Sequence, residues 1–343
     1  MPTANPIAGT MVFLLGGAAA AVYLLPFRAV KGWAYETGWL VSVVAGWLVF
    51  PLVFDACVVP DFWGVLGSAS AATLYRSFGF GVLWGVGALC WALMVRYLGI
   101  GLGLGIGAGL CAATGTLLPP ICTGHAADLV ATASARMVLG GVGIALAGIV
   151  AVGLAGRFKE YEMNDDDKKR AVAEFDFKKG LVTAVIAGVA SAGINFGLQG
   201  APELESAALA AGASPTWAGM PVLTVVLWGG LATQFAWVVV QHHKNRSFGD
   251  YVGNPRPRNY LLSVAVGVIG VMQFVLQKAG EPLMGEFRYI SFAVLMSSAV
   301  FFSAILGVFL GEWKGTSLRT RGLLSTGIAV LAVGFAAMAL GGK

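Results

Sequence analysis

The chain has 343 residues, of which 57% are hydrophobic and only 11% charged, with a formal net charge of +5. A typical soluble domain is roughly 45–50% apolar and about 25% charged, so a water-exposed surface cannot be built over most of this molecule. The positive balance comes from lysines and arginines in short segments between long apolar runs, with no basic face interleaved with aromatics, which excludes a nucleic-acid partner and makes the lipid bilayer the solvent.

A hydrocarbon core about 30 Å thick needs roughly 20 apolar residues per helix. The apolar runs predict ten spans, over about 7–26, 38–57, 77–96, 99–120, 136–156, 179–201, 218–240, 259–278, 289–311 and 321–341. No basic stretch precedes the first run, which is expected to be a retained helix and not a cleaved signal. Its small-residue face, Gly16 and Ala20, leads to Tyr23. The second span opens near Glu36, the acid singled out as closest to the membrane interior. Glu36 can interact with its own helix N-terminus, pair with Arg28 or Lys31, or exchange a proton as part of coupling.

The third span places Trp84, Ala88 and Trp91 along one face. In the fourth, glycines at every second position from Gly99 to Gly109 form two stripes about 200° apart, each a GxxxG pattern that admits a close neighbour. No strand pattern precedes them and no GxxxxGK[ST] motif occurs, so a nucleotide site is not supported. Between the fifth and sixth spans, the run Asn164-Asp165-Asp166-Asp167-Lys168-Lys169-Arg170 reads as a solvated linker. Helix 6 carries Ser191, Asn195 and Gln199 at four-residue spacing on one face. Helix 7 adds Gln234, and helix 8 adds Gln273 and Gln277. An amide facing lipid leaves its hydrogen-bonding groups unsatisfied, so these faces must look inward.

Loops after odd-numbered spans hold 17 of the 22 lysines and arginines. The positive-inside rule puts that side in the cytoplasm and both termini in the periplasm. The linker divides the spans five and five, giving a first five-helix repeat over 1–156, a cytoplasmic linker over 157–178 and a second repeat over 179–343. An odd number per half requires the halves to cross in opposite senses. Gly16 to Ala21 is similar to Gly188 to Gly193, and Gly143 to Ala147 to Gly327 to Leu331. The expected fold is therefore an all-α polytopic membrane protein of two inverted five-helix repeats, an architecture suited to alternating access.

Uncharged amides and hydroxyls beside aromatic rings suit a neutral polyhydroxylated solute. The substrate-binding candidates are Tyr23, Trp84 and Trp91 as ring surfaces, with Ser191, Asn195, Gln199, Gln273 and Gln277 as hydrogen-bonding groups. Glu36 is the proton-coupling candidate. The four cysteines lack CxxC spacing, and the three histidines form no HExxH or Cys/His pattern. No metal, cofactor or catalytic constellation is therefore expected, and an enzyme is not supported.

Several segments, in order along the chain, carry a resemblance: Pro26-Phe27-Arg28, Trp33 to Trp39 (WAYETGW), Pro60 to Trp63 (PDFW), Trp84 to Gly87, Arg96 to Gly99, Gly115 to Leu117, Glu174 to Leu181 (EFDFKKGL), Ser191 to Gly193, Gln273-Phe274, Tyr289 to Ser291 and Glu312-Trp313. With these the chain resembles the bacterial L-rhamnose–proton symporter family of the drug/metabolite transporter superfamily. The resemblance implies a ten-helix carrier of the bacterial inner membrane that imports L-rhamnose, or a related neutral 6-deoxyhexose, with a proton. Alternatives within the superfamily are a carrier of another metabolite or a drug exporter; outside it, a non-transporting sensor. Three positions depart from the expected pattern: Ala88 stands where an asparagine is expected, Arg288 where an acid is expected, and Asn195 where a smaller hydroxyl residue is expected.

Overall fold

The computed structural model describes residues 4–122, 124–162, 176–253 and 256–342, and every regular element among them is helical. The run Asn164 to Arg170, and most of the linker, lie outside the described residues. Seven helical stretches among the described residues are long and apolar enough to cross a membrane, with mean hydropathies of 1.7 to 2.4.

The chain begins with α1 (Pro6–Val22), started by the Asn5 side chain, which accepts from the Ala8 amide at 3.1 Å, and by a proline in the first turn. Both features suit a helix start, where amides lack partners and a proline loses none. Next, α2 (Tyr35–Val58) passes through one wide turn at Ala45–Val49. Helix α3 (Ala71–Cys122) is 52 residues long. A Cβ on Gly107 would lie 3.0 Å from the Trp91 ring, whereas about 24 Å of straight helix would separate these positions. Hence α3 folds back into two antiparallel arms.

Helix α4 (Ala133–Glu162) follows, then α5 (Phe177–Ser191), capped by Asp176, α6 (Gly193–Gln199) and α7 (Pro202–Ala210). Then come α8 (Met220–Asn245), α9 (Pro257–Gly280), α10 (Ser291–Phe309) and α11 (Leu318–Gly341). Between α9 and α10 the tight turns Glu281–Ile290 contain Gly285 at φ 56°, a conformation that glycine adopts without a Cβ penalty. There the chain reverses: a Cβ on Gly16 would lie 3.0 Å from the Gln273 carbonyl on α9 and 2.9 Å from Leu295 on α10.

Packing sorts the helices into two groups. In one, α1 packs against α9 and α10, and α2 packs against α9. In the other, α5 and α6 pack against α3, and α8 lies along its first arm. Helices α4 and α11 pair with each other, and α4 also packs against α3 and α10. Glycines set the closest approaches: a Cβ on Gly46 of α2 would collide with Gly267 of α9, and one on Gly229 of α8 with the backbone around Phe78 and Gly81 of α3. Contacts this tight bring whole backbones into dispersion range, the main source of helix association in lipid.

The connections gather at two ends. At one, Arg28 pairs with Glu312 at 3.3 Å, Asp250 accepts from the Ala34 amide, and Glu162 accepts from Ser317 and Thr320. This is the end with the concentration of basic residues. At the other, the Asn5 amide donates to the Leu283 carbonyl and Ser70 to Glu203.

Candidate functional site

Between the two groups lies a cavity of about 1370 Å³. A small-molecule pocket is typically about 300–1,000 Å³, and the excess here is the mouth. Leu24, Tyr35, Gln241 and Glu312 line it at the basic end, where Tyr35 is 58% exposed and Glu312 reaches solvent. At the deep end the lining is Trp47, Trp84, Ile194, Phe274 and Phe292, all buried.

A file of aromatic rings runs down one wall. Tyr35 stacks on Trp39 at 5.8 Å, Trp39 meets Trp47 at 6.4 Å, Trp47 meets Trp84 at 4.6 Å, and Trp84 meets Phe274 edge-on at 5.4 Å. Polar groups interrupt the apolar lining. Trp91 Nε1 donates to Ser191 Oγ at 2.8 Å, and Trp39 Nε1 to Gln234 Oε1 at 3.0 Å. Gln273 donates one N–H to the Gly270 carbonyl at 2.7 Å. Ser42, Gln241 and Ser303 add further uncharged groups. Among the described residues, charge enters the lining near the mouth, with Lys159, Glu160 and Glu312.

Of the candidates named from sequence, Tyr23, Trp84, Trp91, Ser191 and Gln273 line this cavity, as does Ala88. Asn195 and Gln277 sit one layer beyond its deep end. Gln277 Nε2 donates to Asn195 Oδ1 at 2.9 Å, and Asn195 donates to the Gly115 carbonyl at 2.6 Å. Gln199 ends α6 outside the lining, its Nε2 buried without a partner. Glu36 is buried beside the mouth. Its carboxylate accepts from Ser247 Oγ at 2.6 Å and Asn245 Nδ2 at 2.9 Å, while Arg28 pairs with Glu312.

Beyond Asn195 and Gln277 lies a charge cluster in which Lys278 and Glu281 are buried and Arg288 is half-exposed; of its members, sequence reasoning singled out only Arg288. Lys278 Nζ meets Glu205 Oε1 at 2.5 Å and Glu281 Oε2 at 2.7 Å. Arg288 Nη2 reaches Glu205 at 3.0 Å and Glu281 at 3.3 Å. Two acids and two bases cancel, which lets Lys278 sit with a side chain only 1% exposed. Glu205 belongs to α7, which continues from α5 and α6; the other three belong to α9 and the turn after it. The cluster therefore ties one helix group to the other across the end opposite the mouth.

Two further groups were missed. Asp55 on α2 is 1% exposed and accepts from Thr224 Oγ1 of α8 at 2.6 Å. Its signal was an acid inside the predicted span 38–57. His242, fully buried on α8, bonds to Ser247 and Tyr251 beside Glu36. Burial pushes the Tyr251 phenol up to about 12, so it remains an O–H at physiological pH.

A wall of aromatic faces and uncharged donors and acceptors can hold the apolar C–H face of a sugar while satisfying its hydroxyls. The comparisons with known proteins bear on the same point. The family model for "L-rhamnose-proton symport protein (RhaT)" matches residues 3–342. The L-rhamnose-proton symporter of Cronobacter sakazakii is 37% identical over 339 residues, covering 97% of each chain. That of Salmonella paratyphi A is 34% identical over the same length, again covering 97% of each. This chain belongs to the L-rhamnose-proton symport protein family.

Proposed function

We propose that this protein imports L-rhamnose together with a proton, by exposing one central site alternately to the two sides of a bacterial inner membrane. The observation that carries this reading is a cavity lined by rings and uncharged polar groups, open at one end and shut at the other by paired charges. The relatives, named as L-rhamnose-proton symporters, supply the solute and the coupling ion.

The two-repeat arrangement is supported by the packing. With α3 counted as two spans, ten helices are available. The first helix of each half then packs on the third and fourth helices of the other half. The glycine contacts follow the same relation: Gly46 with Gly267 joins helices 2 and 8, and Gly81 with Gly229 joins helices 3 and 7. Residues 1–156 and 179–343 are the repeats, with 157–178 between them in the cytoplasm. The basic end is cytoplasmic by the positive-inside rule, so the open cavity faces inward and both termini face the periplasm. In this reading the Glu205–Lys278–Glu281–Arg288 cluster, with the Asn195–Gln277 pair beneath it, is the closed outer gate.

Tyr23, Trp84, Trp91, Ser191 and Gln273 contact the sugar, and Gln234 and Gln241 join them. Asn195 and Gln277 seal the site from behind, Gln199 lies at the outer end of the same helix, and Glu36 takes part in proton coupling. Ala88 lies in the lining where the family resemblance leads one to expect an asparagine, so the sugar preferred can be a close relative of rhamnose.

The test is uptake of labelled L-rhamnose into proteoliposomes under an imposed pH gradient, acid outside. Accumulation above the equilibrium level that collapses with a protonophore is expected. Equilibration without accumulation would overturn proton coupling, and absence of rhamnose flux would overturn the substrate.

A further inference from the structure

Glu36 and Tyr35 are neighbours in sequence, as are His242 and Gln241. Tyr35 and Gln241 line the mouth of the cavity. Just behind them, Glu36, Ser247, His242 and Tyr251 form one unbroken chain of hydrogen bonds between α2 and the end of α8. Ser247 Oγ gives its single hydrogen to the Glu36 carboxylate at 2.6 Å. The contact between Ser247 Oγ and His242 Nδ1, at 2.7 Å, must therefore be a donation from the ring. This fixes a hydrogen on Nδ1 whatever the charge of the ring.

The second ring nitrogen is then the variable one. His242 Nε2 lies 2.9 Å from the Tyr251 hydroxyl. In the neutral ring, Nε2 accepts the phenolic hydrogen. In the charged ring, Nε2–H donates to the Tyr251 oxygen, and the phenolic hydrogen turns to the Thr37 carbonyl, 3.4 Å away. Either state leaves no ring nitrogen unpartnered, though the ring is fully buried. A buried polar group without a partner is costly, and this arrangement avoids that cost with and without the proton.

Two acids lie beside the ring. Glu36 faces the ring from α2, and Asp250, held by Thr37 Oγ1 and the Ala34 amide at 2.8 Å each, faces it from the short helix Asp250–Gly253. Tyr260 of α9 donates to the Tyr251 carbonyl. Phe248 stacks on the ring at 4.6 Å, and Lys244 and Arg246 on the same connection are exposed.

We infer that His242 is the binding site of the transported proton, with Glu36 as its counter-charge and Tyr251 as the hydroxyl that serves both protonation states. This rests on the reading of the protein as a proton symporter. The proton arrives through the half-buried Tyr251 hydroxyl, which hands its own hydrogen to the Nε2 lone pair and takes the incoming one in its place, and it leaves by the reverse exchange. No bond between heavy atoms changes.

The test compares wild-type, His242→Gln and Tyr251→Phe proteins in proteoliposomes, measuring pH-gradient-driven rhamnose accumulation, rhamnose exchange at equal pH, and the pH profile of uptake. His242→Gln is expected to lose accumulation by at least about tenfold while exchange of labelled for unlabelled rhamnose persists, a split that a general folding defect does not produce. Tyr251→Phe removes the partner of Nε2 in both states, and the loss is larger for the charged ring because its hydrogen bond is the stronger one, so the pH profile is expected to move to lower pH by about one unit. Accumulation by His242→Gln with the wild-type pH profile would overturn the proposal. If His242→Gln is not recovered folded, an unmoved profile in Tyr251→Phe overturns it instead. Absence of rhamnose-dependent proton movement in the wild-type protein would overturn the symport reading itself, a different result from coupling that survives in the variants.

Discussion

Lys278 at the end of α9 lies 2.5 Å from Glu205 on α7, and this contact joins the two helix groups at the end opposite the cavity mouth. Removing one member of a buried ion pair costs about 3–5 kcal/mol, because a charge is left without compensation. Lys278→Met is therefore expected to lower the melting temperature of the purified protein and to increase labelling of a cysteine introduced beside Glu205 by a membrane-impermeant reagent. Lys278→Met combined with Glu205→Leu leaves Glu281 paired with Arg288 alone, and should recover part of the lost stability. A double variant less stable than the single one would contradict this account of the outer end.

Gln273 lines the cavity, while one N–H of its amide is held by the Gly270 carbonyl. Gln273→Leu keeps the bulk and removes the amide. A hydrogen bond to a neutral hydroxyl is worth about 1 kcal/mol, so rhamnose affinity is expected to fall about five-fold, read by calorimetry or by ligand-induced thermal stabilisation. An unchanged affinity would remove Gln273 from the site.

Ala88 lines the cavity one helical turn from Trp84 and Trp91. Ala88→Asn adds a donor and an acceptor to that wall. Competition by a panel of unlabelled sugars is expected to show a changed order of preference between wild type and variant. An identical order in both would mean that this position does not contact the sugar.

Gly267 of α9 abuts the Ser42 carbonyl of α2, leaving no room for a side chain. Gly267→Val is expected to cost more than about 3 kcal/mol through overpacking of two backbones, giving poor recovery from the membrane. Gly143 has no neighbour close to where its Cβ would lie, and Gly143→Ala should be recovered at the wild-type level. Equal recovery of both variants would count against the close α2–α9 contact.

The sequence displays spans well because lipid imposes a length and a composition on them. It displays the aromatic faces and the Ser191 and Gln273 positions because helical periodicity tells which residues share a face. Periodicity does not tell which neighbour that face meets, so Asn195 and Gln277 could not be distinguished from cavity groups although each is the other's partner. The charge cluster was still less legible. Glu205 and Lys278 are 73 positions apart; Lys278 alone is an ordinary charge at a predicted helix end, and Glu205 falls in the predicted loop between the sixth and seventh spans. Asp55 was readable as an acid within a span, whereas Glu36 drew attention for lying at a span's edge. His242 carried no motif. Only the fold brings Ser247, Tyr251 and Glu36 around it.

Joint passage of rhamnose and a proton through this cavity has a signature outside the vesicle. Its most direct measurement is the external pH of a lightly buffered suspension of de-energised proteoliposomes on addition of L-rhamnose. The account predicts alkalinisation of the medium that accompanies sugar uptake and is abolished by a protonophore. Uptake of rhamnose with no change in external pH would contradict it.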